Sequence, residues 1–301
     1  MAAKFKMSDL GLLTSNLGIE VRQGKQAIEL CQSAYALKLL ERAGLKGCKP
    51  TQMPLQEKPK LSRNSTAEKV DATLYRSLIG GLRYLTHTWP DISFAVGYVS
   101  RFMEDPHKDH MAAVKHLLRY IAGSCELGLA YPRRKKTSDD LIGFSDSDMG
   151  GDIDGRKSTS GMVFFLETCP ISWQSQKQKI VALSTWEAEY IAGAAATCHG
   201  VWLRRLLKEI IGQAVAAPIL GIDNKSAIEL AKNPVFHNRS KHIDIKFHFI
   251  RDCVERKLVI LEQVGTDQQL ADVFTKPLGK NSFEKMKTLV GMVVIKQGHP
   301  H

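Results

Sequence analysis

The stretch that decides the fold is Leu141-Ile142-Gly143-Phe144-Ser145-Asp146-Ser147-Asp148. An apolar run that ends in hydroxyls and acids reads as a buried strand surfacing at the end of a sheet. Working outward, residues 161–166 and 180–183 are also strand-like. Residues 187–211 carry a long helical pattern behind Ser184 and Thr185, two residue types that cap helix N-termini. Ile219–Ile222 is a further apolar run, with a helix opening after Asp223. Residues 242–256 predict a helix and 258–264 a strand. A final helix is expected from Asp267 until Pro277 stops it. The order is three strands, helix, strand, two helices, strand, helix. That order predicts an α/β domain over 141–280, with helices covering a mixed sheet.

Upstream the pattern changes. In residues 1–55 two short alternating runs flank Gln23-Gly24-Lys25, a hairpin signal. A helix is expected from Ser33 to Gly44. Pro50, Pro54 and Pro59 open a polar stretch, and 56–70 reads as a linker. Residues 71–136 read as helices, separated by Trp89-Pro90 and Pro106 and ending in the basic run Arg133-Arg134-Lys135-Lys136. Residues 281–301 read as a tail.

The 301 residues carry 42 Lys+Arg against 31 Asp+Glu, a net charge of +11, with 44% hydrophobic residues. That balance excludes a mainly disordered or fibrous chain and makes a polyanion the first partner to consider. No run reaches the roughly 18 apolar residues of a membrane span, and the N-terminus has no apolar signal core. Six scattered cysteines without a C-x-x-C pair read as free thiols. The expectation is an intracellular protein with no membrane partner.

Four acids stand out: Asp146 at a strand end, Glu189 early in the long helix, Asp223 after a later strand, and Asp272 in the last element. Acids at strand ends and helix starts can converge on one sheet edge. Clustered, they repel and raise one another's pKa, which divalent cations relieve; all-oxygen ligands suit Mg²⁺ or Mn²⁺. Two such ions about 4 Å apart can hold a scissile phosphate. Sequence separations of 43, 34 and 49 residues also fit four unrelated surface acids.

Longer motifs carry more information. Ser145-Asp146-Ser147-Asp148, Arg156-Lys157-Ser158-Thr159-Ser160-Gly161, Ser172-Trp173-Gln174-Ser175-Gln176-Lys177-Gln178, Glu187-Ala188-Glu189-Tyr190, Asp223-Asn224-Lys225-Ser226 and residues 267–276 resemble the ribonuclease H domain of copia-type retrotransposon Pol polyproteins. Met7-Ser8-Asp9-Leu10-Gly11, Tyr75-Arg76-Ser77-Leu78-Ile79-Gly80 and Pro90-Asp91-Ile92-Ser93 resemble the end of the reverse transcriptase and the connection region of the same polyproteins.

The resemblance implies a ribonuclease H-like fold, a five-stranded mixed sheet flanked by helices, behind a mainly helical remnant of the reverse transcriptase. It implies hydrolysis of RNA in an RNA–DNA hybrid with two Mg²⁺ ions, or Mn²⁺ in their place. Asp146, Glu189, Asp223 and Asp272 would be the catalytic metal ligands, with Asp148 and Glu187 as near decoys. Ser147, Arg156, Ser158, Thr159, Asn224 and Ser226 would be substrate contacts, since hydroxyls, amides and Arg suit a sugar–phosphate backbone. Ser158-Thr159-Ser160-Gly161 reads equally as a turn into a strand.

There are departures from the family pattern. No Tyr-x-Asp-Asp turn exists, so DNA polymerisation is not expected, and a separate polymerase part is a conceivable partner. Met149, Trp186 and Trp89 replace the usual Trp, small polar residue and Arg. They leave open a catalytically inactive, nucleic-acid-binding relic. The loop before Asp272 lacks the His found in many cellular ribonucleases H; His242 and His248 lie on the preceding helical pattern instead. Residues 1–140 hold 22 Lys+Arg and 14 Asp+Glu, a net +8, whereas 141–280 hold 17 and 16. The basic charge therefore lies mainly outside the carboxylate domain.

Overall fold

The structure is a computed structural model that describes residues 11–57, 59–133, 140–232 and 244–295, with the backbone alone for 244–247. His242, His299, His301, Asp139 and Arg134 to Lys136 lie outside the described residues.

The central element is strand β5 (Leu141–Ser147). Counting from the N-terminus, it follows β1 (Ser15–Asn16), β2 (Ile19–Gln23), β3 (Ala27–Cys31), α1 (Ser33–Arg42), α2 (Ala72–Leu85), α3 (Ser93–Val99), α4 (Lys108–Ala122) and β4 (Leu127–Pro132). After β5 come β6 (Thr159–Leu166), β7 (Cys169–Lys177), α5 (Thr185–Ile211), β8 (Ile219–Ile222), α6 (Lys225–Lys232), α7 (Asp244–Glu255) and β9 (Ile260–Gln263). Two 3₁₀ turns, α8 (Lys280–Leu289) and β10 (Met292–Val294) complete the described chain.

Strands β5 to β9 form a sheet in the order β7-β6-β5-β8-β9. The pairs β5–β6 and β6–β7 are antiparallel, whereas β5–β8 and β8–β9 are parallel. This is the ribonuclease H-like five-stranded mixed sheet that the motifs imply. The third strand lies earlier than its sequence suggests. Residues 180–183 are not a strand, and β7 occupies Cys169–Lys177. It escapes hydropathy because Ser172, Gln174 and Gln176 alternate on a sheet-edge strand with little apolar surface to hide.

Alternation along β6 gives the sheet two buried faces. Met162 and Phe164 join the core under α5, α6 and α7, with Leu220, Ala188 and Ile191. Val163 and Phe165 join a second core with the helices α1 to α4 and with Phe274, Phe283 and Met286. The helices before residue 133 therefore pack on one face of the sheet at β5, β6 and β7.

Three further expectations are corrected. Residues 281–295 are not a tail, because α8 buries Phe283 and Met286 and β10 pairs antiparallel with β4. This places β10 in a second five-stranded sheet, β1-β2-β3-β4-β10, of which only the β2–β3 hairpin was expected; β4 corrects the reading of 71–136 as helices throughout. The segment after Asp267 is not one helix. It is two 3₁₀ turns, Thr266–Gln268 and Leu270–Phe274, broken where the Gln269 side chain accepts from Ala271 N and donates to Ser145 O of β5 (2.9 Å).

Candidate active site

Each acid is delivered by a different element. Asp146 stands near the end of β5, opposite Gly161 of β6. Glu189 lies in the second turn of α5. This helix starts at Ser184, whose hydroxyl accepts from Glu187 N, while Glu187 Oε2 accepts from Leu183 N (2.8 Å). The reciprocal cap fixes the start of α5 and so the height of Glu189. Asp223 follows the last residue of β8. Asp272 sits in the second 3₁₀ turn, pinned to β5 by Gln269.

Asp146, Glu189 and Asp223 bring one carboxylate oxygen each within 4.8 Å of one another. Asp146 and Glu189 are 2% and 6% exposed. Glu189 Oε1 accepts from Ser147 N (3.1 Å), but among the described residues no donor reaches the buried Oε2. Burial, then the charges of Asp146 and Asp223, push the Glu189 carboxyl up to about 10. Burial and Asp146 also raise Asp223. Asp272 is pushed up to about 7, first by burial and then by Asp146 beside it. The local compensation is modest. Lys276 Nζ lies 2.9 Å from Asp272 Oδ1 and 3.9 Å from Asp146 Oδ2, and Thr275 Oγ1 donates to Asp146 Oδ2. A buried carboxylate oxygen without a donor, in an oxygen-only cluster that resists ionisation, fits a divalent cation.

The decoys have structural work. Glu187 is the helix cap just described. Asp148 accepts from Thr159 N and holds the loop after β5 against the start of β6. Burial pushes Asp148 up to about 6.

The expected substrate contacts divide. Ser158 and Thr159 are buried, and their hydroxyls serve the fold. Ser158 Oγ accepts from Gly150 N, and Thr159 Oγ1 accepts from Arg101 (2.9 Å). Both hydroxyls support the join between the β5–β6 loop and the start of β6. Ser147 is half-buried at the acid cluster. Arg156 and Ser226 are exposed, and Asn224 Oδ1 accepts from Ala227 N at the start of α6.

Three residues not among the expected site residues, though each lies in a quoted motif, shape the site. Gln178 Nε2 lies within 3.2 Å of Ser147 Oγ, Ser160 Oγ and Ala188 O, tying β5, β6 and α5 together at the acids. Thr275 and Lys276 act on Asp146 directly. Their only signal was membership of the 267–276 motif. His248 is exposed on α7, its ring beside Arg251. Of the departures, Trp89 is fully buried in the helical core, Trp186 packs against the core under α5, and Met149 is exposed.

A family model described as reverse transcriptase (RNA-dependent DNA polymerase) matches residues 1–57. The Pol polyprotein of transposon RE1 from Arabidopsis thaliana is 39% identical over 97% of this chain and 20% of its own length. An uncharacterised mitochondrial protein of the same plant is 37% identical over 67% of this chain and 83% of its own length. The foamy viral protease–reverse transcriptase in complex with RNA/DNA hybrid is a structural neighbour. It shows a TM-score of 0.46 and 10% identity over 84% of this chain and 29% of the other. The chain belongs to the copia-type family of retrovirus-related transposon Pol proteins. It spans about a fifth of the length of the Pol polyproteins it matches.

Proposed function

We propose that this chain is a ribonuclease H-type endonuclease that hydrolyses the RNA strand of RNA–DNA hybrids. The observation that carries the reading is the convergence of three acids from β5, α5 and the end of β8 within 4.8 Å, with Asp272 beside them. Asp146, Glu189, Asp223 and Asp272 would hold two Mg²⁺ ions, with Mn²⁺ as a substitute. When bound, such ions supply charge that activates water and stabilises a leaving oxygen.

The chain's own groups set up that chemistry. Thr275 and Lys276 hold Asp146 in place and offset part of the cluster's charge. The protein resists ionisation of Glu189 until a cation compensates it, so binding releases a proton. Ser147 donates its N–H to Glu189, Asn224 follows Asp223 directly, and the exposed Arg156 and Ser226 on the β5–β6 loop and α6 would add further backbone contacts. Hydroxyl, amide and guanidinium donors there suit a sugar–phosphate backbone rather than base edges. Inside a reducing cell the six free cysteines are at home.

The test has two parts. Isothermal titration calorimetry of Mg²⁺ should show binding with proton release in the wild type and not in Asp146→Asn. A labelled hybrid should be cleaved with Mg²⁺ by the wild type and not by Asp146→Asn or Asp223→Asn. Mg²⁺ binding without cleavage would leave a nucleic-acid-binding relic. Equal cleavage by all three proteins would remove the acids from the mechanism.

A further inference from the structure

The C-terminal part of α5 has two contrasting sides. Val201 and Leu203 are buried and Leu207 packs on the core, but the opposite side carries large apolar groups into solvent. Trp202, Leu206 and Ile210 are 53%, 37% and 71% exposed. Spaced four apart, they form one stripe, each about 40° round the helix from the last. Single exposed apolar residues are ordinary, whereas an aligned set headed by an indole marks a contact surface. The indole is held in place. Its ring lies 5.4 Å from that of His199, and His199 Nε2 shares a 2.7 Å hydrogen bond with Ser172 Oγ of β7. Two exposed charges, Arg205 and Glu209, lie along one flank of the stripe. Neither makes an ion pair or a side-chain hydrogen bond among the described residues.

This set of residues is complementary to itself. At a rise of about 1.5 Å per residue, Arg205 and Glu209 stand about 3 Å to either side of the level of Leu207. An antiparallel second copy with a two-fold axis at that level sets Arg205 against Glu209 of the copy, and Glu209 against Arg205. The same axis interleaves the stripe. Trp202 and Leu206 lie about 7.5 Å and 1.5 Å before it and Ile210 about 4.5 Å after it, so the copy's equivalents fill the alternate levels, one side chain about every 3 Å. Such an axis keeps the charged flank of both helices on one edge, where both ion pairs form. A parallel copy would instead oppose Arg205 to Arg205 and Glu209 to Glu209, which repel.

We propose that the outer face of α5 from Trp202 to Ile210 is a self-association surface, on which a second copy of this chain packs antiparallel about a two-fold axis at Leu207. Trp202, Leu206 and Ile210 supply the apolar contact, and Arg205 and Glu209 fix its direction and register. Glu189 lies about 27 Å along the helix from that axis, so the contact is remote from the acid cluster of either copy. The inference needs neither a cation nor a nucleic acid, and it can fail without touching the catalytic reading.

Sedimentation equilibrium of the full chain, with chelator and without nucleic acid, tests it. The mass of the wild type should rise from one chain toward two between about 1 and 300 µM, with Kd on the order of 10 µM, because a single helical stripe is smaller than a standard interface. Ile210→Glu, at a mostly exposed position, should raise Kd by at least roughly 10-fold while the protein melts as the wild type does. Arg205→Glu and Glu209→Arg should each raise Kd by roughly 10-fold, since each sets like charges together twice. The double reversal Arg205→Glu/Glu209→Arg should return Kd to within about 2-fold of the wild type, a rescue that general damage to the helix would not give. A wild type that stays monomeric at about 300 µM would overturn the inference and leave the stripe to a different protein. Wild-type association in Ile210→Glu would also overturn it. So would single reversals without effect, or a double reversal no tighter than the singles.

Discussion

Replacing Glu189 by Gln should stabilise the metal-free protein. Its carboxyl is 6% exposed and pushed up to about 10 against an ordinary 4.5, by burial and by Asp146 and Asp223. A folded-state pKa above the unfolded one means that the folded protein binds the extra proton. Its stability is then highest below pH 4.5 and declines as pH rises from there toward 10. At pH 7 the cost of keeping that proton, about 2.5 pH units at 1.36 kcal/mol each, is about 3 kcal/mol. A glutamine carries no such cost. With chelator at pH 7, Glu189→Gln should melt higher by roughly 6–12 °C, at about 2–4 °C per kcal/mol for a chain of this size. At pH 5 the gap should shrink below about 1 kcal/mol. Added Mg²⁺ should raise the wild-type Tm, since binding to the folded state alone stabilises it, and should raise the variant's less. Differential scanning calorimetry at pH 5 and pH 7, with chelator and with Mg²⁺, reads all four values. A variant that melts no higher than the wild type at pH 7 with chelator would refute the reasoning.

Three further outcomes follow from the packing. In Gly161→Ala the new methyl would sit 2.7 Å from Thr275 Cγ2 and 2.9 Å from Ala271 O. It should cost about 1–3 kcal/mol in urea denaturation, displace Asp272 and shrink the Mg²⁺-induced rise in Tm. Arg101→Leu strips a nearly buried guanidinium from Asp152 (3.5 Å) and Thr159. Because Lys177 still pairs with Asp152, the loss should be about 2–3 kcal/mol, read as a shifted urea midpoint. A fragment starting at residue 140 would expose Val163, Phe165 and Phe274, which the earlier helices bury. It should bind a hydrophobic dye and lose near-ultraviolet circular dichroism, whereas a cooperative melt would show that the sheet stands alone.

Much of the carboxylate domain is written locally. Strand β5 reads from its apolar run, α5 from its cap and periodicity, and β8 from four apolar residues before Asp223. These signals concern one element at a time, and hydrophobic period and capping are local by nature. The four acids were also legible, because each sits in a motif at an element's end. β7 was not, since an edge strand with alternating Ser and Gln has no apolar signature. Neither was the pairing of β10 with β4, which joins residues more than 150 positions apart.

The sequence by itself determined most elements of the carboxylate domain, the family resemblance and the four candidate acids, because these depend on residue type and spacing along the chain. Only the tertiary structure decided that Glu187 and Asp148 serve as supports while Glu189 meets Asp146, since two residues' separation along a helix or loop sets direction, not destination. Only it showed that Gln178, Thr275 and Lys276 complete the acid cluster. It also decided that the helices before residue 133 share a core with Val163, Phe165 and Phe274 of the carboxylate domain. Which face of a strand finds which partner depends on long-range packing, and that cost is settled by the whole fold at once.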